Sequence, residues 1–138
     1  MKAPSYQFID ANLIMYSIGG PHPLRAPCRI VLEKIKDGRI QVVTNTEVLQ
    51  EILYRFFSIK RFSQAESAYT SMVELCAEIF PVTLRDTDLA MDLIKKYPGI
   101  TSRDAVHAAT MIHHDIKEIL SADSHFDSIR EIRRVPPA

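Results

Sequence analysis

Four acidic side chains are the residues of this sequence that are best placed to do chemistry: Asp10, Glu51, Asp104 and Asp123. Asp10 interrupts the apolar stretch "YQFIDANLIMYS", and an ionised carboxylate is costly to remove from water unless it is paired or binds a cation. Several carboxylates brought together repel one another, and their pKa values rise unless a cation neutralises them. Oxygen ligands suit Mg²⁺ or Mn²⁺, and such an ion can activate water and stabilise phosphoryl oxygens.

Helix capping is an alternative role for three of these residues. Asp10 could cap a helix that begins near Ala11, and Asp123 could cap a short helix in "SHFDSIRE". Asp104 follows Thr101 by three residues in "TSRD", a short form of the capping box. Apolar residues follow Asp104 at helical spacing, however, which places its side chain beside an apolar stripe. Both roles stay open for each aspartate.

Glu51 competes with Glu47, which lies one helical turn earlier. At about 100° per residue, Glu51 flanks the apolar stripe beside Val48 and Ile52, whereas Glu47 points further towards solvent. A glutamate that serves a site at the edge of the core is therefore predicted to be Glu51. The alternative is that Glu51 is an ordinary solvated glutamate on a helix surface.

The elements that must position these side chains alternate between strands and helices. Strands are predicted in "YQFI", "RIQVVTN", "IFPV" and "KEILSAD". Helices are predicted in "CRIVLEKIKDG", "TEVLQEILYRF", "SQAESAYTSMVELCAEI", "RDTDLAMDLIKKYPG" and "SRDAVHAATMIHHD", with a short one in "SHFDSIRE". This alternation indicates an α/β layer fold with a mainly parallel sheet. Open α/β sheets bind ligands beyond the carboxyl ends of their strands, where Asp10 and Asp123 are expected.

Four local expectations accompany this assignment. Ile30 is expected on the buried face of its helix together with Val31 and Ile35. Thr44 or Thr46 is expected to cap the helix that carries Glu51. The segments "GGPHPLRAP" and "IRRVPPA" are interpreted as a loop and a tail.

Composition limits the class of protein. A chain of 138 residues suits one domain, predicted to span residues 1–138. The 17 basic and 17 acidic residues give a net charge of zero, which argues against binding nucleic acid by bulk charge but allows a local basic groove. Cys28 and Cys76 fit no metal-binding spacing. Without a predicted signal peptide or membrane span, structural thiols in a reducing cytosol are expected.

The five histidines are weaker candidates. His107 is expected near the surface of its helix, and His22 and His125 are expected in loops or caps. His113 and His114 are adjacent and so point to different helix faces. The sequence contains neither a His-Glu-x-x-His motif nor a glycine-rich phosphate loop.

The arrangement of these blocks resembles a known family. "FIDANLIMYS", "TNTEVLQEILYRF" and "SRDAVHAATMIHHDIKEILSADSHFD" are similar, in this order, to the motifs of PIN domains, and "GGPHPLRAPCRIVLEKIKDG" looks like the first loop and helix of VapC-type toxins. The resemblance covers about residues 6 to 130. VapC-type toxins are the ribonuclease halves of toxin–antitoxin pairs.

The resemblance implies a three-layer α/β/α sandwich that binds Mg²⁺ or Mn²⁺ and cleaves single-stranded RNA. The four acids match the family's acidic set, with the metal held by Asp10, Asp104 and Asp123. Three further positions match supporting residues of the family: Asn12, Ser121 and Asp127. Ser121 stands where the family often has threonine, and Asp127 matches a less central acid that is interpreted as steadying the short helix.

Partners are also implied by the resemblance: a single-stranded RNA, a small cognate antitoxin and a second copy of the chain. The candidates for binding RNA phosphates are basic residues near the acidic set: Arg55, Lys60, Arg61 and Arg103. A cluster of large apolar residues is either core or a partner surface. Its members are Leu49, Leu53, Phe56, Phe57 and Phe62.

Other functions are compatible with the same residues. A PIN-domain nuclease of RNA processing or decay would need no antitoxin. A non-catalytic RNA- or protein-binding module would not need four acids. A phosphatase with a nucleophilic aspartate would normally have a second acid at position 12, where this chain has Asn12.

Overall fold

The fold is an α/β/α sandwich, as predicted. The computed structural model describes residues 5–138. Its five strands form one parallel sheet in the order β3-β2-β1-β4-β5. The strands are β1 (Gln7–Ile9), β2 (Val42–Asn45), β3 (Glu78–Phe80), β4 (Glu118–Leu120) and β5 (Arg133–Val135). The helices are α1 (Ala11–Ile18), α2 (Arg25–Lys36), α3 (Thr46–Ser58), α4 (Phe62–Leu75), α5 (Leu84–Lys96) and α6 (Ser102–His113), and a 3₁₀ helix spans Ser124–Ser128.

The order of the strands explains the two helical layers. The connections from β1 to β2 and from β2 to β3 step in one direction across the sheet, whereas the connection from β3 to β4 returns past β1. Because parallel crossovers are right-handed, α1 to α4 cover one face of the sheet and α5 and α6 cover the other. At the interface of α5 and α6, His113 Nδ1 lies 2.5 Å from Asp86 Oδ1.

The core is apolar on both sides of the central strand. Phe8 and Ile9 of β1 are fully buried, and Ile119 of β4 is buried beside them. Alanines of α6 are buried as well, which lets this helix approach the sheet closely. Among residues 5–138, no helix is both long and apolar enough to cross a membrane.

The structure corrects four local expectations. Ile30 is exposed, and the buried face of α2 is formed by Cys28, Val31, Leu32 and Ile35. The cap of α3 is Asn45, whose side chain accepts a hydrogen bond from Val48 N (3.0 Å). Helix α2 begins at Arg25, inside the predicted loop, and includes Pro27. The first turn of a helix tolerates proline because the N–H groups of that turn have no partner within the helix. The predicted tail contains β5.

The cluster of large apolar residues is divided between core and surface. Leu49 and Phe56 are buried, and Leu53 is partly buried. Phe57 and Phe62 are 48% and 56% exposed, with their ring centroids 5.0 Å apart. Tyr54 and Ile59 are exposed nearby, and we call Tyr54, Phe57, Ile59 and Phe62 the α3–α4 apolar surface.

Candidate active site

The site lies where the direction of the strand order reverses. Strand β1 pairs with β2 on one side and with β4 on the other, so the crevice between the carboxyl ends of β1 and β4 is a topological switch point. A cavity of about 510 Å³ opens there. All four predicted acids line it: Asp10, Glu51, Asp104 and Asp123.

Asp10 is both a helix cap and a member of the acidic cluster. Its Oδ1 accepts a hydrogen bond from Ala11 N (2.8 Å), which caps α1. Its Oδ2 accepts from Ser121 Oγ (2.6 Å) and from Asn12 Nδ2 (3.2 Å). The side chain is almost fully buried, and this burial raises the pKa of Asp10 to about 6 despite the opposing influence of His107.

Asn12 and Ser121 connect the ends of β1 and β4. Asn12 Nδ2 also donates to Ser121 Oγ (3.1 Å), and Asn12 Oδ1 accepts from Ala122 N (3.2 Å). Ser121 Oγ additionally accepts from Asp123 N (3.0 Å). The serine that stands in place of the family's threonine therefore makes the hydrogen bond to Asp10.

Asp104 also combines capping with a place at the cavity. Its Oδ2 accepts from Thr101 N (3.2 Å) and its N–H donates to Thr101 Oγ1 (3.2 Å), which completes the capping box of α6. The residue is 5% exposed. Burial and the charge of Asp123 raise the pKa of Asp104.

Asp123 caps the 3₁₀ helix by accepting from His125 N (2.9 Å). Asp127 does not line the cavity; its carboxylate is paired with Arg134 through Nε (2.9 Å) and Nη2 (3.0 Å). Arg134 Nη1 also donates to Ser121 O (3.3 Å). Asp127 thus connects the segment that carries Asp123 to β5.

Glu51 rather than Glu47 lines the cavity. Glu51 Oε1 lies 3.5 Å from Arg103 Nη1, and Glu47 contacts Arg103 Nε at 3.8 Å. Burial raises the pKa of Glu51, but the nearby His107 and Arg103 lower it by more, so that it lies below its usual range.

His107 is the residue that sequence reasoning missed. The residue is 1% exposed and does not lie near the surface, because its ring packs beside Phe8 and Phe126. Its Nε2 lies 3.8 Å from Glu51 Oε2 and 3.9 Å from Asp10 Oδ1. Burial lowers the pKa of His107, and the charges of these acids raise it by more. The sequence did contain one signal for this position: His107 lies three residues after Asp104 on the same helix, and residues at this spacing share a helix face.

The ligand atoms fall into two groups that could hold a cation. One comprises Asp10, Glu51 and His107, and the other comprises Asp104, Asp123 and His125. Within each group the ligand atoms lie within 4.8 Å of one another. The carboxylate-rich donor set and the raised pKa values of Asp10 and Asp104 fit a divalent cation that would offset the accumulated negative charge.

The four basic candidates differ in position. Arg55 and Arg103 line the cavity, and Arg103 also lies over the ring of Tyr54 at 5.5 Å from its centroid. Lys60 and Arg61 lie in the turn between α3 and α4 and are not among the residues that line it.

Comparison with known proteins agrees with this architecture. A family model for the PIN domain matches residues 8–132. Ribonuclease VapC13 of Mycobacterium tuberculosis is 36% identical over 127 residues, which are 92% of this chain and 97% of that protein. Ribonuclease VapC23 of the same species is 35% identical over 116 residues, covering 84% and 91% of the two chains.

Solved structures with the same fold include toxins and toxin–antitoxin complexes. VapC20 of Mycobacterium tuberculosis, a sarcin–ricin loop cleaving toxin, superposes with a TM-score of 0.73 at 15% identity, covering 91% of this chain and 95% of VapC20. VapBC2 of Rickettsia felis, bound to a DNA fragment from its promoter, gives a TM-score of 0.69 at 20% identity, with coverage of 95% and 98%. Taken with the family match, these similarities show that the chain belongs to the PIN-domain family, within which its sequence is similar to the VapC ribonucleases.

Proposed function

We propose that this protein is an endoribonuclease that cleaves single-stranded RNA with Mg²⁺ or Mn²⁺ and acts as the toxin of a VapBC-type pair in the cytoplasm. The observation that carries the proposal is the convergence of four carboxylates from separate segments on one cavity at the switch point of the sheet. The curated relatives named as ribonucleases support the same chemistry.

Asp10, Asp104 and Asp123 would hold the cation, with Asp10 coming from one of the two ligand groups and Asp104 and Asp123 from the other. Glu51 would complete the acidic set. When bound, the cation supplies a Lewis acid that lowers the pKa of water and stabilises phosphoryl oxygens. The family resemblance implies products with a 5′-phosphate and a 3′-hydroxyl. Asn12 and Ser121 orient Asp10 through the hydrogen bonds described above. Arg103 and Arg55 lie at the cavity, where their guanidinium groups can meet the phosphates of RNA.

The activity is tested with labelled RNAs, single-stranded and duplex, incubated with Mg²⁺, Mn²⁺ or excess EDTA. We expect cleavage of single strands that stops on chelation. Asp104→Asn should lose more than the roughly 10–100-fold typical of residues that support metal ligands. Asp88→Asn is the matched control, because Asp88 is an exposed aspartate on α5. Cleavage that survives full chelation would reject the mechanism.

Binding of RNA by local basic residues is tested by its salt dependence. Each phosphate contact that is lost should make the logarithm of the binding constant less dependent on the logarithm of the salt concentration. We expect this slope to become shallower when Arg55, Lys60, Arg61 and Arg103 are replaced together by glutamine. An unchanged slope would show that these residues are ordinary solvated charges.

The proposed partners are a small antitoxin and a second copy of this chain. The toxin–antitoxin complexes among the solved relatives support the first, and the family resemblance implies the second. The α3–α4 apolar surface is a place where an apolar helix of an antitoxin can dock. A basic residue of such a partner could then reach the acidic cluster, and arginine suits this task because its planar fork can engage two carboxylate oxygens.

A further inference from the structure

The buried His107 invites interpretation as a metal ligand, because its Nε2 groups with carboxylate oxygens of Asp10 and Glu51. The opposite side of the ring tests this interpretation. Nδ1 of His107 lies 3.2 Å from the side-chain nitrogen, Nδ2, of Asn45. Which atom donates in this contact decides which ring nitrogen of the neutral imidazole carries the proton.

The orientation of the Asn45 amide is fixed by two other hydrogen bonds. Its Oδ1 accepts from the backbone N–H of Val48 (3.0 Å). Turning the amide around would place its NH₂ group against this N–H, one donor facing another, so the orientation shown is the one that is hydrogen-bonded. Its Nδ2 donates to Thr110 Oγ1 (2.9 Å), and that hydroxyl in turn donates to Val106 O (3.1 Å). The second N–H of the Asn45 amide is therefore directed at His107, and Nδ1 of His107 accepts it.

An imidazole whose Nδ1 accepts a hydrogen bond carries its proton on Nε2. A protonated Nε2 has no lone pair for a cation. Histidines that bind metals instead donate their second ring N–H to an acceptor, which is the reverse of the contact with Asn45. His107 thus presents an N–H donor to the acidic cluster.

Glu51 is the acceptor that best suits this donor. Among the described residues 5–138, His107 Nε2 and Glu51 Oε2 are both buried without a hydrogen-bond partner, and they face each other at 3.8 Å. A movement of about 0.9 Å would bring them to an ordinary N–H···O distance. Asp10 Oδ1, at 3.9 Å, already accepts a hydrogen bond from Ala11 N.

We propose that His107 is a positioning residue for Glu51 and not a metal ligand: Asn45 holds it in the Nε2–H tautomer, and this N–H donates to Glu51 Oε2. Glu51 is then held between His107 on Oε2 and Arg103 on Oε1. The proposal deepens the nuclease function and rests on it for its effect on catalysis, but the tautomer itself can be measured without any activity.

The tautomer is read from the ¹⁵N chemical shifts of the imidazole in labelled protein, first free of metal and then with Mg²⁺. The spectra are recorded at pH 9, because the neighbouring acids raise the pKa of His107 and a tautomer is defined only for the neutral ring. The His107 signals are assigned by their absence in His107→Gln, and His114→Gln serves as the control, because His114 stacks on Phe80 away from the cavity. We expect a protonated Nε2 and an unprotonated Nδ1 in both states. A proton on Nδ1 alone, or on both nitrogens, would overturn the proposal.

Asn45→Asp offers a reversal of the same contact. Aspartate still accepts from Val48 N as a helix cap, but it places an oxygen opposite Nδ1 of His107. We expect a proton on Nδ1 in this variant, and unchanged ¹⁵N shifts would contradict the assigned role of Asn45.

The link to Glu51 is tested by a double-mutant cycle on RNA cleavage. His107→Leu should lose roughly 10–100-fold in activity, and His107→Gln should recover part of it because glutamine can present an N–H near the position of Nε2. In the Glu51→Gln background, His107→Leu should cause little further loss. Independent, multiplying losses would overturn the proposed link.

Mn²⁺ bound to the protein distinguishes the two roles directly. If His107 were a ligand, the electron spin-echo spectrum of Mn²⁺ would contain a ¹⁴N coupling that disappears in His107→Gln. We expect no such coupling. Should the wild-type protein cleave no RNA at all, the proposed nuclease function would fail, while the imidazole shifts would still decide the tautomer.

Discussion

At the scale of single residues, Asp10 is at once a helix cap and a member of the acidic cluster that lines the cavity. One carboxylate oxygen satisfies the first N–H of α1, while the other is held by Ser121 and Asn12. Asp104 divides its roles in a similar way, since its capping-box contact with Thr101 N uses Oδ2. Capping fixes where each carboxylate lies, and burial keeps water away from it. The two alternatives left open by the sequence are therefore compatible.

The raised pKa of Asp10 predicts a stability effect with a definite sign. Because the pKa rises from 3.8 to about 6 on folding, ionisation of Asp10 destabilises the metal-free fold progressively as pH increases through this range. The amide introduced by Asp10→Asn cannot ionise. We expect this variant to unfold at higher denaturant concentration than wild type above about pH 6, by about 1–2 kcal/mol after allowance for weakened contacts with Asn12 and Ser121.

The advantage of Asp10→Asn should vanish below about pH 4, where the wild-type carboxyl is protonated in both states. Mg²⁺ should stabilise the wild type and have much less effect on the variant. The measurement is urea unfolding in EDTA across the pH range. A variant that is less stable at pH 7.5 would show that capping by the carboxylate outweighs the cost of its burial.

Glu51 and Glu47 form a natural pair for comparison, since both contact Arg103 and only Glu51 lines the cavity. Glu51→Gln should remove most of the RNA cleavage. Glu47→Gln should change it by no more than about twofold, because a partly exposed ion pair contributes little. The assay is cleavage of one RNA at saturating Mg²⁺. An inactive Glu47→Gln beside an active Glu51→Gln would show that the wrong glutamate was chosen.

Sequence reasoning predicted the positions of the four acids at the cavity because each follows a strand or flanks an apolar stripe. It could not place His107, since a histidine among alanines is compatible with either face of a helix. Its burial depends on Phe8 and Phe126, and its hydrogen bond depends on Asn45, all distant in sequence. Such contacts are set by tertiary packing, which hydrophobic periodicity does not describe.

At the scale of elements, β5 is the clearest difference from expectation. A three-residue strand with two arginines and two following prolines has no alternating apolar pattern, so its pairing with β4 is visible only in the structure. The strand contributes Arg134, which holds both Asp127 and Ser121 O. The edge of the sheet thereby supports the segment between β4 and Asp123.

Arg134→Gln tests this support. Loss of the two-pronged contact should lower the melting temperature by about 2–5 °C. It should also weaken Mg²⁺ binding, because the segment that carries Asp123 loses its attachment. Arg133→Gln is the matched control, since Arg133 is an exposed neighbour whose ion pair with Glu118 lies at the surface. Equal effects of the two substitutions would argue against a specific role for Arg134.

At the scale of the whole molecule, the sheet order brings residues 10 and 121–123 together although more than a hundred positions separate them. The order of the motifs predicted that these residues meet, because the carboxyl ends of parallel strands lie at the same edge of the sheet. The sequence could not predict which members of the apolar cluster are buried and which are exposed. Leu49 and Phe56 face the core and Phe57 faces solvent, which depends on how α4 packs against α3.

The α3–α4 apolar surface leads to the last prediction, which concerns the partner. Phe57→Ser combined with Phe62→Ser removes two exposed rings that contact each other but not the acidic cluster. We expect this variant to fold and cleave RNA like the wild type, and to lose inhibition by the proposed antitoxin, which is sought in the neighbouring reading frame. Leu84→Ser is the control, because Leu84 is a similarly exposed apolar residue on α5.

Size-exclusion light scattering after co-expression measures both the complex and the homodimer. A double variant that still binds the antitoxin but becomes monomeric would assign this surface to the homodimer instead, and a wild type that neither dimerises nor binds its neighbour would favour a stand-alone nuclease.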